Sequence, residues 1–260
     1  MMVEEKSKYI TPDGYTSDIA VFTIVSENAE PREQRKKEPP QKRLKLLLIK
    51  RAKMNAEGKP NIEADKWALP GGFVDAEKRE TALQAATREL KEETGVENVF
   101  LKHFGTYDAW GRDPRGWIIS NAHYAIVPEF QLEKREAADD AAEVGLFSLD
   151  EIGELALAFD HEQIIADAVS LIEWDMLHST IAKNFLPNEF TLSELQRVLM
   201  TVSNHSRITN TSVFFGKAPK LPFLEKVVDQ HGNLKKTERN SFRPSQLYQF
   251  NDYVVFSTIW

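Results

Sequence analysis

Gly71-Gly-Phe-Val-Asp-Ala-Glu-Lys-Arg-Glu80, running directly into Thr81-Ala-Leu-Gln-Ala-Ala-Thr-Arg-Glu-Leu-Lys-Glu-Glu-Thr-Gly-Val96, is the stretch on which the fold turns. Its pattern predicts a helix over 81–94 with Gly95 as the stop, because glycine tolerates the left-handed backbone that closes a helix. At about 100° per residue, Glu89, Glu92 and Glu93 fall at i, i+3 and i+4 and project from one helical face. Three like charges so placed repel, and a purely structural helix would interleave partners. A hard divalent cation that prefers oxygen converts the repulsion into coordination. Ala82 and Ala85, earlier on the same face, are small enough to leave room for a hydrated cation and a phosphate, while Leu83 and Leu90 are expected to face the core. Leu69-Pro-Gly-Gly72 can bring a backbone carbonyl, that of Gly72, toward the cation, and Arg88 is placed to orient Glu80 through paired hydrogen bonds. For the carboxylates alone a solvated acidic helix end is the plainer alternative; these flanking residues tell against it.

Around this helix the chain has 260 residues, 42% hydrophobic and 28% charged, which is room for two domains with a sizeable core. A net charge of -7 argues against a uniformly basic nucleic-acid binder, so any DNA-binding surface must be local. Without cysteine there are no disulfides, thiolate nucleophiles or Cys-ligated zinc. No run approaches the ~20 apolar residues that span a bilayer, and the polar start lacks the apolar stretch of a signal peptide. No membrane partner and a cytoplasmic location are therefore expected. The charge is uneven: residues 1–180 hold 23 Lys+Arg against 34 Asp+Glu, a net of -11, and residues 181–260 hold 10 against 6, a net of +4.

Short apolar runs at 18–25 and 44–50 predict buried strands, and 98–103 and 117–127 predict two more. Between the first two, residues 27–43 carry three prolines and dense mixed charge, the composition of a mobile loop. A second helix is predicted over 161–178, where Ile165, Val169, Ile172 and Met176 line one face; it bridges the two domains. In the tail, Thr191 and Glu194 fit a capping box ahead of a stripe of Leu195, Val198, Leu199 and Val202. A Phe-Phe-Gly segment, an apolar run at 221–228, a turn at 229–233 and a strand at 245–250 follow. Two helices and a β-hairpin outline a small winged helix.

Arg88-Glu-Leu-Lys-Glu-Glu-Thr-Gly95, with Glu80 eight residues before Arg88, resembles the signature box of the Nudix hydrolase superfamily. The step from Gly72 to Glu80 is eight residues where the box has six, so the loop is two residues longer. The resemblance implies an α/β/α sandwich with a mixed sheet, of α/β (α+β) class, that cleaves nucleoside diphosphates linked to another group with Mg²⁺ or Mn²⁺ as cofactor. It implies Glu89, Glu92 and Glu93 as metal ligands, together with the Gly72 carbonyl. One of these glutamates or a loop carboxylate such as Glu143 is the base, although Glu143 reads more readily as ordinary surface charge. Arg112 and Arg115 flank Asp113-Pro114 in a tight turn that could present two guanidiniums to phosphate or ribose oxygens, and Arg51 joins Arg112, Asp113 and Arg115 as a substrate-binding candidate. Arg112-Asp-Pro-Arg-Gly116 and Leu157-Ala-Phe-Asp-His161 are similar to the ADP-ribose-type Nudix domains fused to winged helices in the Nudix-related transcriptional regulators.

The expected division is a Nudix domain over 1–160, a linking helix over 161–180 and a winged-helix-like domain over 181–260. Two functions follow. One is an ADP-ribose pyrophosphatase releasing AMP and a sugar phosphate; the other is an ADP-ribose-sensing, DNA-binding regulator. The full set of glutamates favours catalysis. So does Thr211-Ser-Val-Phe-Phe-Gly-Lys-Ala-Pro219, because Gly216 and Pro219 shorten a helix and two phenylalanines suit packing better than a major groove. Lys217, Lys220, Lys235, Lys236, Arg239 and Arg243 are the residues that would touch DNA phosphates, with a solvated surface as the alternative. The resemblance also implies a homodimer.

Overall fold

The computed structural model describes residues 10–26, 41–54, 58–132, 141–239 and 243–255. Most of the expected loop at 27–43 lies outside them, but Lys42 and Arg43 belong to a strand: charged ends do not stop a strand whose next residues, Leu44 to Ile49, are mostly buried. In chain order come β1 (Gly14–Ser26), β2 (Lys42–Arg51), β3 (Trp67–Ala68), β4 (Gly71–Phe73), α1 (Ala82–Thr94), β5 (Phe100–Tyr107), β6 (Ile118–Ile126), α2 (Glu129–Leu132), β7 (Ala141–Ser148), α3 (Leu149–Ile152) and α4 (His161–His178). β5 begins later than its apolar residues suggest, because Asn98 turns the chain with φ 56°.

β1 is the spine of a seven-stranded mixed sheet. It runs parallel to β6 and antiparallel to β2 and β4; β5 extends the β6 edge, and β3 and β7 pair with β2. Residues 19–22 of β1 are fully buried, as a central strand covered on both faces requires. Ile19 and Val21 join Leu47, Ala86 and Leu90 beneath α1, while Ala20 and Phe22 join Leu46, Leu48, Ile164 and Ala168 beneath α4. The result is an α/β/α sandwich. Leu83 departs from expectation: it is 51% exposed, and α1 meets the sheet through Ala85, Ala86, Leu90 and Thr94. Ala85 is completely buried and therefore serves close helix-to-sheet approach, leaving no open room.

The tail continues through a 3-10 turn (Ile181–Phe185) into β8 (Phe190–Thr191), α5 (Leu192–Met200), α6 (Ser206–Thr209), α7 (Thr211–Lys217), a second 3-10 turn (Ala218–Lys220), β9 (Leu224–Lys226), β10 (Lys236–Thr237) and β11 (Ser245–Phe250). Thr191 and Glu194 form the capping box, and β11 pairs with β8, β9 and β10. Three short helices and a small antiparallel sheet replace the simpler outline of two helices and a hairpin; the extra helix, α6, is a single turn too short to show periodicity. One hydrophobic cluster runs from Phe22 and Tyr124 through Ile172 and Met176 of α4 to Leu195, Phe214 and Tyr248, so α4 is packed from both sides.

Candidate functional site

Thr81 caps α1 by accepting from the Gln84 amide while the Gln84 side chain accepts from the Thr81 amide, and Gly95 closes it at φ 70°. This fixes the rotation of the acidic face. Arg88 lies at its centre. Its Nε and Nη2 donate to the two carboxylate oxygens of Glu80, each at 2.9 Å, and Nη2 also donates to the Phe73 carbonyl at 3.0 Å. Nη1 donates to Glu89 at 2.6 Å and to Glu92 at 2.9 Å. The Glu80 carboxylate is held below its ordinary range chiefly by the Arg88 hydrogen bonds. Burial pushes Glu89 up in spite of Arg88 and pushes Glu93 up to about 8, even though Glu93 accepts the Gly71 amide at 2.7 Å.

β4 brings the glycines to this face by pairing with Ser17 and Asp18 of β1. A Cβ on Gly72 would overlap the Glu89 carboxylate, so only glycine lets the helix carboxylate lie against the strand. An oxygen-only donor set with two burial-strained carboxylates suits a hard divalent cation. Among the described residues no three such side chains already converge on one metal position, and Arg88 bridges Glu89 and Glu92, so a cation would have to draw these carboxylates together. Glu143 sits apart, exposed on β7 and 3.9 Å from Lys50, in keeping with surface charge.

The other wall of Gly71 and Gly72 opens on a cleft of about 70 Å³ lined by Asp18, Arg51, Phe73, Arg112, Arg115 and His161, among others. The arginines are not simply presented to solvent. Arg112 turns inward, its side chain 4% exposed, and donates to both oxygens of Asp160 at 2.7 and 2.6 Å with Asp18 at 3.7 Å. Arg115 pairs with the buried Asp113 at 2.6 Å and lies between the Phe73 and Phe159 rings, 4.8 and 5.5 Å from their centroids. Arg51 donates to Asn61 and to the Ile62 carbonyl and also covers Phe159. The tight turn expected at Asp113-Pro114 is present one residue further on, closed between Asp113 and Gly116, with Gly116 at φ 146°.

Asp18, Phe73, Phe159 and His161 escaped the sequence reading as site residues. The available signal for Asp18 was a carboxylate at the head of the apolar run 18–25; in the structure it is buried within β1, accepts from Ser120 at 2.5 Å and faces His161 Nε2 at 3.8 Å. His161 Nδ1 accepts the Leu69 amide at 2.9 Å, and burial holds the ring well below its ordinary pKa, hence neutral with its proton on Nε2. His161 is also the first residue of α4, and Asp160 is its N-cap.

Two further acidic residues on α4 repeat this attachment. Tyr107 donates to Asp167 at 2.8 Å, and Tyr124 and Lys102 donate to Asp175 at 2.5 and 2.6 Å. Asp160, Asp167 and Asp175 lie about two helical turns apart and so share a face. Each is tied to β5, β6 or the loop between them, which fastens α4 to the cleft at its first turn and to the sheet along its length.

In the tail, Lys235 pairs with Glu189 at 2.6 Å, and Arg239 grips Glu194 at 2.6 Å while donating to the Glu189 carbonyl. These two cations are thus engaged by the domain's own carboxylates. Lys220, Lys236 and Arg243 are exposed, Lys217 ends α7, and the exposed Arg207 on α6 went unnoticed in the sequence.

Residues 37–168 match the NUDIX domain family, and residues 182–250 match the NrtR DNA-binding winged helix domain. Over 249 residues, 95% of this chain and 85% of the other, the sequence is 26% identical to the ADPR responsive transcriptional repressor NtrR of Acinetobacter baylyi. It is 42% identical over 123 residues to the ADP-ribose pyrophosphatase of Methanocaldococcus jannaschii, covering 47% of this chain and 64% of that protein. The crystal structure of Shewanella oneidensis NrtR complexed with a 27mer DNA superposes with a TM-score of 0.64 at 25% identity, covering 95% of this chain and 99% of that one.

Proposed function

Because the chain belongs to the NUDIX domain family and continues into an NrtR-type DNA-binding winged helix, we propose that it is a DNA-binding regulator whose Nudix fold is the receptor for ADP-ribose or a related nucleoside diphosphate sugar. The carrying observation is the attachment of the cleft to α4: Arg112, its side chain enclosed in the cleft wall, holds the N-cap of the helix that leads into the winged domain. A diphosphate entering the cleft competes with Asp160 for that guanidinium and so acts on α4 directly. This ranks regulation ahead of catalysis, the reverse of the order the intact glutamates suggest by themselves.

Hydrolysis remains the second reading, favoured by Glu89, Glu92 and Glu93 on one side of α1 and by Arg88, which joins Glu80 to Glu89 and Glu92. Glu89, Glu92 and Glu93, with the Gly72 carbonyl, would hold Mg²⁺ or Mn²⁺, which when bound neutralises phosphate charge and acidifies a water. The chain's own residues do the placing: Arg88 orients Glu89 and Glu92, the Gly71 amide fixes Glu93, and Arg51 and Arg112 neutralise the diphosphate.

The regulator is tested by the affinity of the full chain for its own upstream DNA, with and without ADP-ribose. Salt-dependent binding that changes at least fivefold with the nucleotide is expected. Absent binding, or binding indifferent to salt and nucleotide, removes the reading. Release of AMP from ADP-ribose with Mg²⁺, lost in Glu93→Gln, tests hydrolysis separately; no turnover of any nucleoside diphosphate sugar in a panel sinks it.

A further inference from the structure

α7 packs on its domain through Phe214, which is fully buried. Ser212 and Gly216 point roughly opposite to Phe214 on the helical wheel, with Val213 and Phe215 at their flanks. All four are exposed, Val213 at 47% and Phe215 at 39%, and a side chain at Gly216 would meet nothing within 4 Å. The helix thus offers a shallow strip edged by two apolar side chains. Phe215 does not pack inward as the Phe-Phe pair suggested, since neighbours 100° apart cannot both face one narrow core.

The occupant of this face is indicated by charge. Residues 195–224 contain Arg197, Arg207, Lys217 and Lys220 and no Asp or Glu. Arg207 and Lys220, at either end of the α6–α7 unit, are exposed. A continuous acid-free stretch with cations at both sides of an outward helix suits a polyanion with a groove wide enough for a helix, the major groove of a DNA duplex. An apolar partner protein would not call for the exclusion of carboxylates.

Within that groove, recognition of guanine or adenine by paired hydrogen bonds needs Arg, Lys, Asn or Gln on the reading face. Ser212, Val213, Phe215 and Gly216 supply none. What Val213 and Phe215 supply is apolar contact, and the one apolar group a base pair shows in the major groove is the thymine C5-methyl. Resting on the reading of the tail as a DNA-binding domain, we propose that α7 reads its DNA through thymine methyl groups packed against Val213 and Phe215, with Gly216 permitting the close approach.

The test replaces thymine by deoxyuridine, which keeps every base-pair hydrogen bond and removes only the methyl. Duplexes retained by the full chain from a randomised library are sequenced, and binding of the best duplex is measured by anisotropy at one fixed salt concentration with single dT→dU changes. Each contacted methyl is expected to account for about a three- to fivefold loss of affinity. Phe215→Ser should abolish the loss at its own position while leaving the salt dependence unchanged. Equal affinity for thymine and uracil duplexes overturns the proposal while leaving DNA binding intact. Failure to retain any duplex overturns both it and the DNA reading. Concentration-dependent self-association that Phe215→Ser removes, with dT/dU discrimination untouched, assigns the face to a protein contact and overturns it too.

Discussion

Replacing Asp160 by Asn tests whether the cleft and α4 are one mechanical unit. The Arg112 guanidinium is almost fully enclosed and receives its compensation mainly from Asp160, through two hydrogen bonds at 2.6 and 2.7 Å. Breaking a buried ion pair by removing one partner costs about 3–5 kcal/mol. Here Asp160 is 24% exposed and Asp18 remains 3.7 Å from Arg112, so the expected cost is nearer ~2–3 kcal/mol. Urea unfolding followed by tryptophan fluorescence measures it, and the shared hydrophobic cluster predicts one transition for the whole chain. A cycle with Arg112→Met and Asp160→Leu should show a coupling of about 2 kcal/mol, the double variant being less harmful than the single changes summed. Asp160→Asn should also leave DNA affinity unresponsive to ADP-ribose, because no carboxylate then competes with the diphosphate. Additive single effects, or an undiminished response to the nucleotide, would refute the tie between cleft and helix.

Two further outcomes follow from the same geometry. Burial lowers the pKa of His161, with Asp18 and Asp160 opposing and Arg112 and Arg51 adding to the shift, so the unfolded chain binds the proton more readily. Stability should therefore fall as pH drops below the unfolded value near 6.5, by up to ~1.4 kcal/mol per pH unit from this ring, and His161→Asn, whose Oδ1 can still accept the Leu69 amide, should flatten that slope between pH 7.5 and 5.5; an identical slope contradicts the buried neutral ring. Gly72→Ala places a methyl on the Glu89 carboxylate, the movable end of its side chain, so folding should change by less than about 1 kcal/mol while Mn²⁺ affinity, read by titration, drops at least tenfold; unchanged affinity would show that Glu89 is not held against this strand for a cation.

Much of the Nudix half was legible because its signals are local. Glu89, Glu92 and Glu93 share a face by helix geometry alone, Gly95 ends α1 as a left-handed glycine, and α4 spans 161–178 as its apolar spacing implied. What escaped depends on distant partners. β3 and β4 have two and three residues and exist only because β2 and β1 pair with them. Leu83 looked like core by residue type and shares its helical phase with the buried Leu90, yet it lies in the first turn of α1, ahead of Ala85 where burial against the sheet begins. Arg112 and Arg115 were identifiable as cleft residues, and an Arg-Asp turn was open as the structural alternative, but that Arg112 would meet Asp160, 48 residues away, was not.

Charge in the tail illustrates the same limit more sharply. A surplus of four over residues 181–260 counts Lys235 and Arg239 alongside Lys220, although the first two close ion pairs with Glu189 and Glu194 and hold β10 and its following turn against the start of α5. Net charge therefore overstates the cations available to a phosphate backbone in one place and hides them in another. Arg207 sits in a single-turn helix that periodicity does not reveal, yet with Lys220 it frames the outward face of α7. The stronger sequence signal was the uninterrupted absence of acid from 195 to 224, because a solvated surface indifferent to DNA has no reason to exclude carboxylates over thirty residues, whereas a surface facing phosphates does.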